Sequence, residues 1–367
     1  MYTNFDLKEY LNNGVHQVAA DLTKASIFHP MTLKYMTQFA AGVKEAEKKR
    51  EQLESEGHHI PPFLLGSITD ACNLRCKGCY AHRADDCRSQ QDGSGQELLP
   101  VAKWNDIFRQ SEDMGVNFFI LAGGEPFMRP GVIEMAAKHK KILFPVITNG
   151  LLINSTRIKF LKSNRNIIPV LSVEGDAGTT DARRGEGIYA LLEKSMEELH
   201  KAGILFGASI TVTKENMGEV LSDEFVAGPE SRGCRGVIYI EYVPADGDTD
   251  ELTPDDDDRE IIMGRINALR SERENMIFIA FPGDEQAAGG CLAAGRGFFH
   301  INPYGGAEPC PFSPYSDMNI RDVTLLEALD SPLFRALTSS ELLAKPHKGG
   351  CTLFQYEDEV KAMQGLA

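Results

Sequence analysis

No stretch of the sequence approaches the roughly 20 consecutive apolar residues that a membrane span requires, and its first ten residues, MYTNFDLKEY, lack the apolar core of a secretory signal. A cytoplasmic protein is therefore expected. Basic tracts are scarce as well: 38 Lys and Arg stand against 53 Asp and Glu, a formal net charge of −15, and the one Lys-rich stretch, 44–50, is interleaved with glutamates as on a solvated helix face. That balance counts against a nucleic-acid substrate. Eight cysteines in 367 residues, three of them crowded into eight positions, fit metal binding in a reducing compartment better than a secreted disulfide framework.

Those three are Cys72, Cys76 and Cys79, spaced C-x3-C-x2-C within ITDACNLRCKGCYAH at 68–82. Thiolates are soft ligands, and a loop this short lets all three converge on an iron–sulfur or zinc centre. A closed zinc site wants a fourth ligand, which His82 or Cys87 can supply, so the spacing alone leaves both metals open.

The rest of the chain divides by pattern. Residues 1–60 carry apolar side chains every three to four positions, among them Leu7, Leu11, Val15, Val18 and Leu22, and predict two or three amphipathic helices, the last over about 30–56. From 62 onward strands alternate with helices, which predicts a parallel sheet of βα units. Strands are expected near 63–68, 117–122, 142–148, 167–173, 204–212 and 236–243, with helices near 103–114, 131–140, 154–163, 187–202 and 215–227. The acidic run 255–258 suits the N-terminus of a helix over 256–273. Beyond 276 the composition shifts toward Gly, Pro, Phe and Cys, with a hairpin predicted at 298–308 and a helix near 324–337.

With Tyr80 after the last cysteine and an apolar run before the first, the thiol loop resembles that of the radical S-adenosylmethionine (SAM) superfamily. The resemblance implies an α/β fold, a (βα)6 partial TIM barrel over about 61–250. Flanking it would be a helical segment at 1–60 and a small α+β cluster-binding extension at 251–367. It also implies a mechanism: three cysteines hold a [4Fe–4S] cluster whose fourth iron binds SAM. Reductive cleavage then yields a 5′-deoxyadenosyl radical that abstracts a hydrogen atom from substrate.

The same resemblance assigns roles at strand ends, where barrel enzymes gather their function. Gly123-Gly124-Glu125-Pro126 is similar to the GGE-P motif that binds the SAM amino group. Thr148-Asn149-Gly150 is either a family turn or an ordinary one. Ser172 and Glu174, two apart and so on one strand face, resemble the ribose motif. Arg184 occupies the place of an arginine that pairs with the SAM carboxylate, leaving Arg183 to solvent or substrate. Ser209, Thr211 or Thr213 would face adenine and methionine, and Tyr80 flanks the cofactor.

A second set, Cys291, Cys310 and Cys351, begins C-x13-G-x4-C and resembles the twitch or SPASM extension of the superfamily, which implies one auxiliary iron–sulfur cluster. Its fourth position is either open or filled by Cys234, Cys87, Asp284 or Glu285. Zinc at this set is the alternative. The implied enzyme is a maturase or oxidoreductase acting on a peptide, protein or small molecule, fed electrons by a flavodoxin or ferredoxin. Two other classes compete with it: an iron–sulfur electron carrier or redox sensor without SAM chemistry, and a zinc-stabilised binding protein.

Overall fold

A computed structural model describes residues 6–27, 29–81, 97–245, 249–285, 287–347 and 350–366. Cys87 and His82 lie outside the described residues. Six strands form close to where periodicity predicts them: β1 Phe63–Thr69, β2 Phe118–Gly123, β3 Phe144–Thr148, β4 Ile167–Ser172, β5 Gly207–Val212 and β6 Gly236–Glu241. All pair in parallel with their sequence neighbours. A seventh strand, β7 Ile277–Phe281, pairs in parallel with β6 and was not predicted.

The hairpin at 298–308 forms as β8 His300–Ile301 and β9 Ala307–Glu308. It is not set apart from the barrel. β8 adds in parallel to the free edge of β1, with Leu65 N–H donating to Phe299 O at 3.1 Å, so the sheet runs β7-β6-β5-β4-β3-β2-β1-β8-β9. The junction is held by a buried polar chain: the His300 ring bonds Glu308 Oε2 at 2.7 Å and Ser67 Oγ at 2.8 Å, and Asn302 donates to Glu308 Oε1. Ser–His–Glu in series resembles a hydrolase triad, but His300 and Glu308 are fully buried and no substrate can reach them. The chain fastens β1 to β8.

Helices α1 (Leu7–Ala25) and α2 (Pro30–Ser55) form from the N-terminal pattern, the first capped by Asp6, which accepts from Glu9 N–H. Their apolar faces, Val15, Ala19, Leu22, Met36, Phe39 and Val43, bury against Phe118, Leu143, Ile168, Leu205 and Ile277, residues at the N-terminal ends of strands. Arg50 on α2 ties the pair down by donating to Asn12 Oδ1, Asn117 Oδ1 and Gly115 O at 2.5–2.7 Å. The two helices thus close the bottom of the barrel, at the strand ends opposite the thiol loop.

Other departures have local causes. The helix expected over 215–227 is two, Met217–Val220 and Asp223–Ser231, because the Ser222 hydroxyl accepts from Phe225 N–H and starts a new one. The helix expected near 324–337 also breaks in two, with Ser331 capping a new start at Pro332. The acidic run behaves as predicted, since Asp255 and Asp258 form a reciprocal capping box on Asp256–Glu272.

Candidate active site

The thiol loop leaves the C-terminal end of β1, and its position is set by glycines rather than by its own structure. A Cβ on Gly123 would stand 2.2 Å from Thr69 O, and one on Gly124 would stand 2.2 Å from Ala71 O. Only with both side chains absent can the end of β2 approach closely enough for Gly124 N–H to donate to Thr69 O (2.7 Å) and Glu125 N–H to Ala71 O (2.8 Å). The far side of the loop is fixed by Lys77 N–H to Arg183 O at 3.0 Å. At Gly78 the backbone has φ +63°, and a Cβ would meet Tyr242 Oη at 2.4 Å. Cys72, Cys76 and Cys79 are half-buried on this loop. Burial pushes the Cys72 and Cys76 thiols up, and for Cys76 the nearby Arg184 guanidinium works in the other direction.

Glu125 sits behind the two glycines and is almost wholly buried. Oε1 accepts from Phe127 N–H (3.0 Å) and the Thr148 hydroxyl (2.8 Å), and Oε2 from Asn149 N–H (2.8 Å). Pro126 opens the short turn Pro126–Met128 that brings Phe127 N–H round. Asn149 Nδ2 in turn donates to Asn73 Oδ1, beside Cys72. Thr148-Asn149-Gly150 is therefore more than a turn: it links the β2 carboxylate to the thiol loop.

Across the sheet Glu174 is the centre of a second polar network, also buried. Arg183 Nη1 donates to its Oε1 at 2.5 Å and to Thr211 Oγ1 at 2.7 Å, Arg184 Nε donates to Oε1 at 2.9 Å, and Thr211 N–H donates to Oε2 at 3.1 Å. Arg183, expected at solvent or substrate, belongs to this network. Arg184 also points Nη1 at Cys76 Sγ, 3.9 Å away. Ser172 and Ser209 face each other at 3.1 Å on adjacent strands. Thr213 turns away to Asn216 Oδ1.

The three later cysteines are all buried: Cys291 follows β7, Cys310 follows β9, and Cys351 caps the helix Thr352–Gln355. The Cys310 and Cys351 thiols are in hydrogen-bond contact, and Cys291 meets the Glu285 carboxyl. Burial raises the Cys291 and Cys310 thiols well above their ordinary range and pushes Glu285 up to about 7. Cys234 is remote from this set, standing just before β6 at the opposite strand ends and donating to Gly236 O. Asp284 is taken up by Arg270 (2.7 and 2.9 Å) and Ala280 N–H (2.9 Å).

The two thiol sets are joined through aromatic side chains. Tyr304, in the hairpin turn, donates to Asp70 Oδ2 at 2.6 Å, and the Tyr80 ring meets Phe312 edge-on. Glu241, at the end of β6, pairs with Arg259 at 3.0 Å beside Gly350, whose Cβ would stand 2.9 Å from that of Glu241. Sequence reading missed Asn73, Glu241 and Arg259, none of which carries a motif of its own, and it named Thr148-Asn149-Gly150 without foreseeing that Thr148 and Asn149 donate to Glu125.

Among the described residues no three His, Cys, Asp or Glu side chains stand ready to share a single metal ion. One zinc would draw its thiolates to within roughly 3.8 Å of each other, given zinc–sulfur bonds of about 2.3 Å. A cubane takes one thiolate per iron and holds them farther apart, so the half-buried thiols of the first loop suit it as soft donors, whereas Cys310 and Cys351, now in contact, must part to hold one.

Residues 67–223 match the radical SAM superfamily. The chain is 26% identical over 325 residues to the AdoMet-dependent heme synthase of Methanosarcina barkeri, covering 82% of this chain and 90% of that one. It is 29% identical over 307 residues to the mycofactocin maturase MftC of Mycobacterium ulcerans, covering 78% and 79%. In fold it is similar to Streptococcus suis SuiB, solved with its precursor peptide SuiA, at a TM-score of 0.63 and 18% identity over 88% of this chain and 74% of that one. The thiol loop and the glycine–glutamate turn both lie inside that match, and the chain carries a radical SAM domain over residues 67–223.

Proposed function

We propose that the chain is a radical SAM maturase acting on a peptide or protein side chain. Cys72, Cys76 and Cys79 hold the SAM-binding [4Fe–4S] cluster, and Cys291, Cys310 and Cys351 hold an auxiliary one. The observation that carries this reading is the convergence, at one set of strand ends, of the half-buried thiols with two buried carboxylates on either side of them, Glu125 and Glu174. When bound, the first cluster supplies the electron that cleaves SAM to methionine and a 5′-deoxyadenosyl radical.

The protein's part is orientation and exclusion of water. Glu125, held by three donors, offers its carboxylate to the SAM ammonium group beyond the Gly123-Gly124 turn and Pro126. Glu174 keeps the Arg184 guanidinium beside Cys76, where it can meet a carboxylate. Ser172, Ser209 and Thr211 present hydroxyls along the β4–β5 face for the adenosine side, and Tyr80 closes the loop side against Phe312. The extension after β7 covers the strand ends from two directions, through Tyr304 and through Gly350 against Glu241. A flavodoxin or ferredoxin would deliver the electron.

The peptide reading draws on the maturase relative and on the likeness to SuiB. A tetrapyrrole is the second reading, favoured by the coverage of 90% of the haem synthase. Deuterium transfer separates them. With a uniformly deuterated peptide fraction from the source organism, label should enter 5′-deoxyadenosine. Label entering only from a deuterated tetrapyrrole would transfer the assignment to the second reading.

A further inference from the structure

Three thiols leave one iron of an auxiliary cubane without a protein ligand, and the groups able to fill that place can be sorted by position. Cys234 is at the wrong strand ends, and Asp284 is committed to Arg270. Glu285 is different. It closes the turn Gly283–Glu285, with its N–H donating to Pro282 O, and its carbonyl accepts from Ala288 and Gly290 N–H at 3.0 and 3.1 Å. Those bonds fix its place immediately before Cys291. Its side chain is 7% exposed, its carboxyl touches the Cys291 thiol, and Oε1 has no hydrogen-bond partner.

Among the described residues Glu285 forms no ion pair; its carboxyl is met by Leu292 N–H and the Cys291 thiol, and the Arg296 charge bears on it. That guanidinium is spent on backbone carbonyls, with Nη1 donating to Cys291 O and Nη2 to Ala288 O. The neighbouring acid, Glu241, is of like charge and already has Arg259. A buried carboxylate oxygen without a hydrogen-bond donor is costly, and Oε1 stands here against a thiol set that would bind cationic iron. Carboxylate oxygens are competent metal ligands.

Resting on the auxiliary-cluster reading above, we propose that Glu285 is the fourth protein ligand of that cluster, binding iron through Oε1. The second centre is then closed by three thiolates and one carboxylate. Substrate does not bind it directly, which leaves it the role of electron acceptor or relay.

The test uses the full chain carrying Cys72→Ala, Cys76→Ala and Cys79→Ala, reconstituted anaerobically so that all iron belongs to the second centre. Iron content and Mössbauer spectra are read for this parent and for Glu285→Ala and Glu285→Cys, with circular dichroism as the check on folding. The parent should hold about four irons, one of them spectroscopically distinct. Glu285→Ala should fall to about three after mild oxidation, and Glu285→Cys should restore about four while erasing the distinct iron. A Glu285→Ala spectrum identical to the parent's overturns the ligand assignment. If that variant does not fold, an unchanged spectrum in Glu285→Cys overturns it equally. A folded parent that binds zinc or no metal at all overturns the auxiliary cluster itself, a failure separate from that of Glu285.

Discussion

The ring of Tyr80, one residue past Cys79, meets the ring of Phe312, two residues past Cys310, edge-on with centroids 5.2 Å apart. Residues over 230 positions apart in sequence are thus in contact, and each adjoins a different thiol set. An edge-to-face pair contributes roughly 0.5–1.5 kcal/mol beyond its buried area. A double-mutant cycle of Tyr80→Leu and Phe312→Leu in thermal unfolding should return a coupling in that range, and strict additivity would mean that the extension does not dock on the loop.

Gly124→Ala tests how the thiol loop is placed. Its backbone φ is unremarkable, so any cost comes from the Cβ meeting Ala71 O at 2.2 Å. Overpacking of this kind costs on the order of 1–3 kcal/mol when the backbone yields. Because the yielding segment leads into Cys72, the first cluster should be lost or depleted while iron at Cys291, Cys310 and Cys351 persists.

Glu125→Ala should weaken SAM binding while leaving iron content normal. Truncating one partner of a buried charge pair formed on binding costs roughly 2–5 kcal/mol, which is an affinity loss of about 30-fold or more. Isothermal titration of the reconstituted chain with SAM measures it directly. Unchanged affinity would place the ammonium group elsewhere.

The same carboxyl gives the SAM-free protein a pH dependence. Burial holds the Glu125 pKa above its ordinary value of 4.5, against the pull of Asn149, Phe127 and Thr148. A raised folded-state pKa means that the proton binds more tightly to the folded chain. Its stabilising contribution is complete below the unfolded value and disappears as pH rises through the raised one. Denaturant midpoints of the chain should therefore fall over that interval, and Glu125→Gln should flatten the fall.

The N-terminal helices give the opposite prediction for activity. Phe39 lies edge-on to Phe118 at 5.5 Å, at the strand starts away from the thiol loop. Phe39→Ala should cost about 3–5 kcal/mol of stability, yet SAM cleavage per folded molecule should be unchanged well below the melting temperature. A selective loss of cleavage would bring α1 and α2 into the site.

What could be read from the sequence was what is encoded locally. Cys72, Cys76 and Cys79 crowd one loop, Gly123-Gly124-Glu125 follows a strand, and Asp255 and Asp258 cap a helix within four residues. Long-range pairing was hidden. Ile277–Phe281 is a five-residue run ending before Pro282, too short for period alone to mark as a barrel strand. That β8 would join the free edge of β1, and that α1 and α2 would cover the strand starts, depends on which surfaces remain unpaired once the barrel has formed. Glu125 illustrates both cases: the motif marked the residue, but its donors Thr148 and Asn149 come from another strand end. Glu285 carries no motif, and only its burial and its unpartnered oxygen distinguish it from Asp284 beside it.

The most direct test is the anaerobic release of 5′-deoxyadenosine from SAM under a strong reductant, comparing the reconstituted chain with its Cys72→Ala, Cys76→Ala, Cys79→Ala form. The account predicts release by the first and none by the second, which should still retain iron at its later cysteines. Equal release by both, or none by a wild-type chain with its full complement of iron, would contradict it.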